Sequence, residues 1–383
     1  MQPYTGIIEL DDKEIRWETT FDQSIKFKCT NCGYCCTSSN VELSDEELLK
    51  IKDSGEEGFS EDFLTDEGQA SKRIKGSDKE PCLFLGDSKL CNVYEHRPSV
   101  CRLYPFKIVP VSENLVKIDV TKSCKSILKK HFAEENEVDF GNLVAEFLKH
   151  SFSKNRIYKA QLLHETVKDF LDKEAAVDEC LAVIVAEVKL MNHFEQIWDL
   201  LDSFEKTRLQ HKATLRRSNV QEYIKESMNN YKSATPDIKP NYEPEFFRGS
   251  HNRPYQSIDL SRNKVYYFSI GENEVHFSNE KKSYPISSIS RKTLSGEAAN
   301  FLSEYVQTLW KRQITRQKIE QKVHDSMGKI PSFTIQLQEA KKKFMLFSFF
   351  MDAISHHKGH GEITLSDAQE SVLPFDLIFL NMR

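Results

Sequence analysis

Four cysteines lie within eight residues of this chain, in the stretch "KFKCTNCGYCCTSSN" at residues 26–40. Cys29, Cys32 and Cys35 form a C-x2-C-x2-C run, and Cys36 follows directly. Each two-residue gap lets the chain curl so that successive sulfurs converge on one centre. Because thiolates are soft ligands, such a run favours zinc, copper(I) or an iron–sulfur cluster over magnesium or calcium. The run therefore predicts a metal centre near the N-terminus.

The other cysteines continue this cluster, because eight of the nine in the chain lie between residues 29 and 124. The four that follow the first run are Cys82, Cys91, Cys101 and Cys124. The N-terminal residues lack the basic start and apolar core of a signal peptide. We therefore expect a cytoplasmic protein, in which clustered cysteines indicate metal or redox chemistry rather than disulfides. The ninth cysteine, Cys180, lies in an apolar helical pattern and is predicted to be structural.

The spacing of the cysteines bears on which metal they hold. A four-cysteine zinc site normally has two C-x2-C knuckles, and the later cysteines, separated by longer gaps, supply no second knuckle. Three close cysteines completed by a remote one are typical of a 4Fe-4S cluster. The pattern favours an iron–sulfur cluster, with zinc as the alternative. We expect one or more of Cys82, Cys91 and Cys101 to complete the site.

Cys35 and Cys36 are adjacent, and the side chains of neighbouring residues usually diverge. One of the pair is therefore expected to serve elsewhere. Eight cysteines allow two four-ligand sites, or one site with spare thiols that are redox-active or merely packed. The sequence leaves both arrangements open. Metal binding is expected at Cys36 and Cys124 too, but packing is a stronger alternative there than at the other cysteines of the first run.

Two arginines lie among the later cysteines, in "CNVYEHRPSVCRLYPF". A thiolate site is negatively charged, and its burial requires cations or N–H donors. We predict that Arg97 and Arg102 offset this charge; the alternative is that Arg97 pairs with Glu95 at the surface. Pro98 suits the first position of a helical turn, which would present Cys101 in a fixed frame.

The motifs "FKCTNCGYCC", "PCLFL" and "CNVYEHRPSVCRLYPF" and a later isolated cysteine occur here in the order of a known family. Residues 25 to 125 resemble the CxxCxxCC cysteine-cluster family, often called YkgJ-like and described as zinc- or iron-chelating. The resemblance implies metal binding through the cysteines. One branch with such a cluster is the flagellin lysine methylases, which implies methyl transfer to a protein substrate as an alternative. Against it, the sequence has no glycine fingerprint for a nucleotide-like cofactor and lacks the C-x3-C-x2-C spacing of radical adenosylmethionine enzymes.

The chain is long enough for two or three cores. We predict an α+β protein with a small irregular cysteine-rich metal-binding domain at 1–131, a helical region at 132–234 and a C-terminal α+β region at 235–383. Apolar residues recur at helical spacing from Val138 to Leu148. Alternation on both sides of "GENE", at residues 271–274, predicts a hairpin. One long helix is expected over 296–327.

Two local patterns carry further expectations. Ser44 followed by Glu47 is the capping-box pattern of a helix start. Three histidines in "SHHKGHGE", namely His356, His357 and His360, are expected to lie in a solvated loop, because the neighbouring glycines disfavour a helix.

Composition excludes some classes of function. The formal net charge of −5 gives no basic field for nucleic acid. The most apolar stretches fall short of the roughly 20 residues that span a bilayer. Three functions stay open, namely a structural metal domain of an interaction protein, a cluster-bearing enzyme, and a metal-handling protein. The sequence assigns no catalytic residue.

Overall fold

A computed structural model describes residues 2–10, 12–37, 42–43, 45–53, 64–66, 72–74, 82, 84–86, 91–130, 133–149, 255–270, 274–326, 335 and 347–380. The chain separates into two compact units, Met1–Lys159 with Leu380–Arg383, and Ala160–Phe379. Both helices and sheets are present, which confirms the α+β class. No helix within these ranges is long and apolar enough to cross a membrane.

The first unit is built on strands in two sheets, with short helices between them. Its strands are β1 (Pro3–Leu10), β2 (Lys13–Asp22), β3 (Glu42–Leu43), β4 (Leu64–Asp66), β5 (Lys72–Ile74), β6 (Phe106–Ser112) and β7 (Leu115–Val120). Its helices are α1 (Asp45–Asp53), α2 (Ser99–Leu103), α3 (Lys125–Leu128) and α4 (Phe140–Lys149), with 3₁₀ helices at Tyr34–Thr37 and Tyr94–His96.

The main sheet has the order β1-β2-β7-β6, and its central pair is parallel. Since β2 and β7 run in the same direction, their carboxyl ends lie at the same edge of the sheet. The antiparallel strand β6 begins at that edge, where Phe106 pairs with Val120. The cysteine segment leaves from the end of β2 and returns at the start of β6. This edge therefore receives the first, the penultimate and the last of the clustered cysteines.

The core of the first unit lies between this sheet and α4. Phe106, Ile118 and Val144 are buried in it. The apolar residues of α4 recur at helical spacing, so that Phe140, Leu143, Val144, Phe147 and Leu148 are all buried. This confirms the helical prediction for residues 140–148. A second sheet, of order β3-β5-β4, lies within the cysteine segment.

Helix α4 belongs to the first compact unit, together with the cysteines. The division into three domains at residues 131 and 234 stays a prediction. The larger part of the predicted helical region, residues 150–234, lies outside the described residues, and so does Cys180.

The second unit combines an antiparallel sheet with helices. Its strands are β8 (Tyr255–Asp259), β9 (Lys264–Ile270), β10 (Glu274–Phe277) and β11 (Lys282–Pro285), in the order β11-β10-β9-β8. Its helices are α5 (Gly296–Lys311), α6 (Gln313–Asp325), α7 (residues 347–358) and α8 (Leu365–Leu380). Strands β9 and β10 flank "GENE", which confirms the hairpin.

The prediction of one long helix over 296–327 is wrong at Arg312. The backbone there is extended, with φ −66° and ψ 133°, and it separates α5 from α6. The guanidinium of Arg312 is fully buried and donates to both oxygens of Asp376, at 2.7 and 2.8 Å. Tyr305 donates to the same carboxylate at 2.6 Å. The spacing of apolar residues in the sequence gives no sign of this buried ion pair. The pair connects Arg312, between α5 and α6, to α8.

The prediction of a solvated loop is wrong for His356 and His357, whereas His360 lies beyond the helix end and is partly buried. His356 and His357 belong to α7, and the ring of His357 stacks on Phe277 with centroids 3.8 Å apart. Gly359, at φ +72°, ends the helix. Its N–H donates to the His356 carbonyl, and the His360 N–H donates to the Ser355 carbonyl. This is a Schellman cap, in which glycine follows a helix rather than preventing it. His360 lies 2.9 Å from the Asp367 carboxylate.

Replacing Gly6 with alanine is expected to destabilise the main sheet. Gly6 pairs with Trp17 across β1 and β2, and a Cβ at Gly6 would lie 2.5 Å from the indole ring. Overpacking of this kind costs about 1–3 kcal/mol. Hydrogen exchange of residues 2–22 should accelerate in Gly6→Ala. In the control Gly296→Ala, whose Cβ meets nothing within 4 Å, exchange in these residues should be unchanged; equal protection in both variants would contradict this packing.

Removing the guanidinium of Arg312 is expected to destabilise the second unit by about 3–5 kcal/mol, because Asp376 would be left buried and uncompensated. Urea unfolding followed by circular dichroism measures this for Arg312→Ala. The control is Arg262→Ala, since Arg262 is 77% exposed in its pair with Asp259. The double variant Arg312→Met, Asp376→Leu should recover much of the lost stability. Equal losses of stability in Arg312→Ala and Arg262→Ala would refute the role of the buried pair.

Candidate metal centre

The loop that carries the first four cysteines is curled by two left-handed residues. Asn31 (φ 50°) and Gly33 (φ 70°) stand on either side of Cys32. This region of φ is open to glycine and tolerated by asparagine. The Cys36 N–H then donates to the Gly33 carbonyl at 3.0 Å, and a 3₁₀ helix over Tyr34–Thr37 holds the last two cysteines. The sequence between the cysteines thus creates the curl that their spacing predicted.

Backbone N–H groups donate to the sulfurs of Cys29 and Cys82, which lie in separate segments. Asn31 donates to Cys29 Sγ at 3.4 Å. Burial raises the pKa of Cys82 to about 11, against the opposing effect of the Phe84 N–H. In each case the donor stands two residues after its cysteine. Such bonds stabilise thiolates and are characteristic of sulfur ligands at metal centres.

Cys124 shows the same pattern at the start of α3. Burial raises the pKa of Cys124 to about 11, while N–H groups of Ile127 and Ser126 oppose the rise and the nearby Cys32 thiol adds to it. Thr30 Oγ1 lies 2.8 Å from Ser126 Oγ, which joins the curled loop to α3. The structure therefore brings Cys124 beside the first run of cysteines.

Tyr104 lies near both Cys124 and Cys35. Burial raises the pKa of this tyrosine, and the neighbouring Cys124 and Cys35 thiols raise it further. Its hydroxyl lies 3.3 Å from Ser123 Oγ. We call Cys124 and the three cysteines that precede Cys36 in the curled loop, Cys29, Cys32 and Cys35, the first group of thiols.

A second group of thiols surrounds a small apolar cluster. Its buried members are Leu48, Ile51, Phe84 and Val93, and Cys82, Cys91 and Cys101 pack against them. The Cys82 N–H donates to the Cys36 carbonyl at 2.6 Å, which brings Cys36 to this group. The sequence-based expectation was that one or more of Cys82, Cys91 and Cys101 complete the site of the first run. The structure places all three beside Cys36, the last cysteine of that run.

The thiols of the second group are close enough to affect one another's pKa values. Burial raises the pKa of Cys101, and the Cys82, Cys36 and Cys91 thiols raise it further, whereas Arg97 opposes the rise. A hydrogen bond with Cys35 and then burial raise the pKa of Cys36, which Arg97 also opposes. The sulfurs of Cys35 and Cys36 are 3.9 Å apart, so the two groups are neighbours.

The two predicted charge-compensating arginines are held differently. Arg97 donates to the Tyr94 carbonyl at 3.0 Å, and its guanidinium carbon lies 3.6 Å from the centroid of the Tyr94 ring. Arg102 donates to Glu146 at 3.1 Å and to the Arg97 carbonyl at 2.6 Å, so it joins α2 to α4. The position of Arg97 agrees with charge compensation. Binding of a cofactor by either arginine stays a prediction.

Glu47 contributes to the site in a way that the sequence did not indicate. Its carboxylate accepts the backbone N–H of Ser99 at 2.6 Å, at the first residue of α2. It therefore caps the helix that carries Cys101, whereas the predicted partner Ser44 lies outside the described residues. Pro98 takes the N-cap position, one residue before the position expected. The distance of Glu47 from Ser99 along the chain explains why no local pattern revealed this contact.

The chemistry of the donor set fits a thiolate-bound metal. The eight cysteines that the structure describes are free thiols. They supply only soft donors, with N–H partners and one nearby guanidinium. As the side chains stand, no three His, Cys, Asp or Glu residues in the described ranges are arranged to hold a metal ion. Metal binding would thus require the sulfurs of a group to turn toward a common point.

Comparison with known proteins agrees with this chemistry. Residues 28–132 match the CxxCxxCC family, described as "Putative zinc- or iron-chelating domain". The match confirms the resemblance inferred from the sequence and supports metal binding in general.

Two uncharacterized proteins of Methanocaldococcus jannaschii are also similar to the chain. One is 28% identical over 120 residues, which cover 30% of this chain and 41% of the relative. The other is 28% identical over 106 residues, which cover 26% of this chain and 54% of the relative. The chain thus spans about half the length of these relatives. No solved structure matches the chain.

In metal-free reduced protein, Cys29 is expected to react with N-ethylmaleimide first and Cys124 among the last, because Cys29 is exposed and Cys124 is buried. A thiol pKa of about 11 instead of 9 lowers the reactive thiolate fraction near neutral pH by about 100-fold. The Cys124 rate should therefore keep rising as the pH approaches 11. Peptide mass spectrometry measures both rates, and similar rates at neutral pH would contradict the buried position of Cys124.

Proposed function

We propose that the first unit is a metal-binding domain whose centre is held by Cys29, Cys32 and Cys35 of the curled loop and by Cys124 as the remote fourth ligand. The observation that carries the proposal is the 2.8 Å contact between Thr30 Oγ1 and Ser126 Oγ. It fixes the loop against the residues that follow Cys124. The parallel pairing of β2 with β7 brings these distant segments to one edge of the sheet.

This ligand set differs from the one that the sequence suggested. Three cysteines of one loop and a remote fourth are retained, but the fourth is Cys124 rather than Cys82, Cys91 or Cys101. Cys124 is supported by its neighbour Cys32 and by the N–H groups of Ser126 and Ile127. Its burial in the main core also gives the centre a rigid anchor.

We propose a 4Fe-4S cluster as the occupant, with zinc as the alternative. The thiolate-only donor set, the C-x2-C-x2-C loop and the N–H groups directed at the sulfurs support a cluster. A cluster would supply electron transfer, whereas zinc would close the site and stabilise the fold. In either case the protein's residues bind the metal, exclude water from Cys124 and leave Cys29 at the surface.

The wider role also remains a proposal. A structural zinc domain of an interaction protein requires a closed site. A cluster-dependent protein-modifying enzyme, such as a lysine methylase with a protein substrate, requires an accessible one. A metal-handling protein requires exchangeable metal. The exposure of Cys29 supports access from solvent, and the free thiols support our proposal of a cytoplasmic location.

Metal analysis of cysteine variants purified without oxygen or chelator tests the ligand set. Cys32→Ser and Cys124→Ser are each expected to lose the metal of this centre, because a missing thiolate leaves too few ligands. Cys180→Ser, at a cysteine predicted to be structural, is the matched control and should keep the wild-type metal content.

The outcomes of this experiment are distinct. Iron with acid-labile sulfide in the wild type would establish the cluster, and zinc without visible colour would establish the alternative. Wild-type metal content in Cys124→Ser would rule out Cys124 as the remote ligand. Equal metal loss in Cys32→Ser and Cys180→Ser would reject the loop as the site.

A further inference from the structure

The four thiols that the first centre does not use lie together on separate elements. Cys36 is the last cysteine of the curled loop, Cys101 belongs to α2, and the segments of Cys82 and Cys91 lie between them. The Cys82 N–H donates to the Cys36 carbonyl at 2.6 Å. This bond fixes the backbone of the later segment against the end of the loop.

The segments of Cys82 and Cys91 are in turn held to each other. Leu85 forms an antiparallel bridge with Cys91, and the Asn92 N–H donates to the Phe84 carbonyl at 2.8 Å. The Leu85 N–H donates to the Cys82 carbonyl at 2.9 Å. Leu85 therefore contacts both Cys82 and Cys91 through its backbone.

Helix α2 brings Cys101 to the same place. Glu47 caps this helix through Ser99, and Arg102 ties it to Glu146. Cys101 packs with Cys82 and Cys91 on the small apolar cluster of Leu48, Ile51, Phe84 and Val93. Cys124 instead belongs to the main core. Cys124 of the first group and these three thiols of the second are thus anchored in two different hydrophobic clusters.

A cation is present on the side of the second group. Arg97 is close enough to Cys36 and Cys101 to act electrostatically on both thiols, and its guanidinium is held over the Tyr94 ring. Zinc bound by four thiolates carries a net charge of about −2, whose burial requires such compensation.

We propose that Cys36, Cys82, Cys91 and Cys101 form a second, separate metal site that binds one zinc ion through four thiolates. Its ligands come from separate segments and lack the C-x2-C spacing that is usual in structural zinc sites. Three of them, Cys82, Cys91 and Cys101, lie against one apolar cluster, and the sulfurs would have to turn toward a common point to bind zinc. The site would fasten the end of the loop, Cys82, Cys91 and α2 to one another. The division between the two centres falls between the adjacent residues Cys35 and Cys36. Their sulfurs are 3.9 Å apart, so the two centres would be neighbours.

Thiol protection at each residue tests this inference. Protein purified without oxygen or chelator and supplemented with Zn²⁺ is treated with N-ethylmaleimide, and labelled peptides are identified by mass spectrometry. In Cys91→Ser we expect labelling of Cys36, Cys82 and Cys101, and the loss of one zinc per chain, while the first group stays protected. In Cys32→Ser we expect the reverse, with labelling of Cys29, Cys35 and Cys124.

Other patterns would overturn the inference. If Cys91→Ser uncovers both groups equally, one shared centre holds all the cysteines. If it uncovers neither group, Cys91 is not a ligand. The variant Cys91→His separates metal binding from packing, because histidine can replace one thiolate at zinc. It should keep Cys36, Cys82 and Cys101 protected, and equal labelling in the serine and histidine variants would show that Cys91 acts only through packing.

The outcome for this site is separate from that for the proposed function. A wild-type protein that protects only the second group would refute the first centre and support this one. Protection of the first group alone would do the opposite.

Discussion

The parallel pairing of β2 with β7 is the contact on which the arrangement of the cysteines depends. The pair is formed by residues far apart along the chain, such as Thr19 and Ile118. It is strengthened by the hydrogen bond from the Thr20 hydroxyl to the Asp119 carboxylate and by the ion pair of Lys117 with Glu18. Because the two strands end at one edge, the loop that follows β2 meets α3, which follows β7. A sheet with β7 in the opposite direction would carry Cys124 to the far edge.

Because so many thiols of the first unit are buried, their thiolate forms require a cation that offsets the negative charge. Burial raises the pKa values of Cys82 and Cys124 to about 11, so without a cation these thiols stay protonated. A metal ion offsets the charge of the thiolates, and N–H groups and Arg97 share that role. Metal binding and folding are therefore expected to be coupled in this unit. The capping of α2 by Glu47 and its tie to Glu146 limit how far the ligands must move.

The sequence predicted the elements whose structure depends on residues close together in the chain. The curled loop, the amphipathic stripe of α4 and the β9–β10 hairpin follow from spacing that one segment contains. The strands β1 and β2 were not predicted, although "TGIIEL" and "EIRWETTF" carry strand-forming residues. The contact of Glu47 with Ser99 and the break at Arg312 depend on partners that lie far away in the chain. The grouping of Cys124 with Cys32 likewise follows from sheet topology, which the cysteine spacing does not contain.

If thiolates of the first unit hold the metal, the metal has sulfur neighbours. X-ray absorption at the edge of the metal found in the purified protein measures them. We expect a first shell of sulfur only, at about 2.3 Å from the metal. A first shell dominated by nitrogen or oxygen, at about 2.0–2.2 Å, would contradict it, because the described cysteines would then not be the ligands.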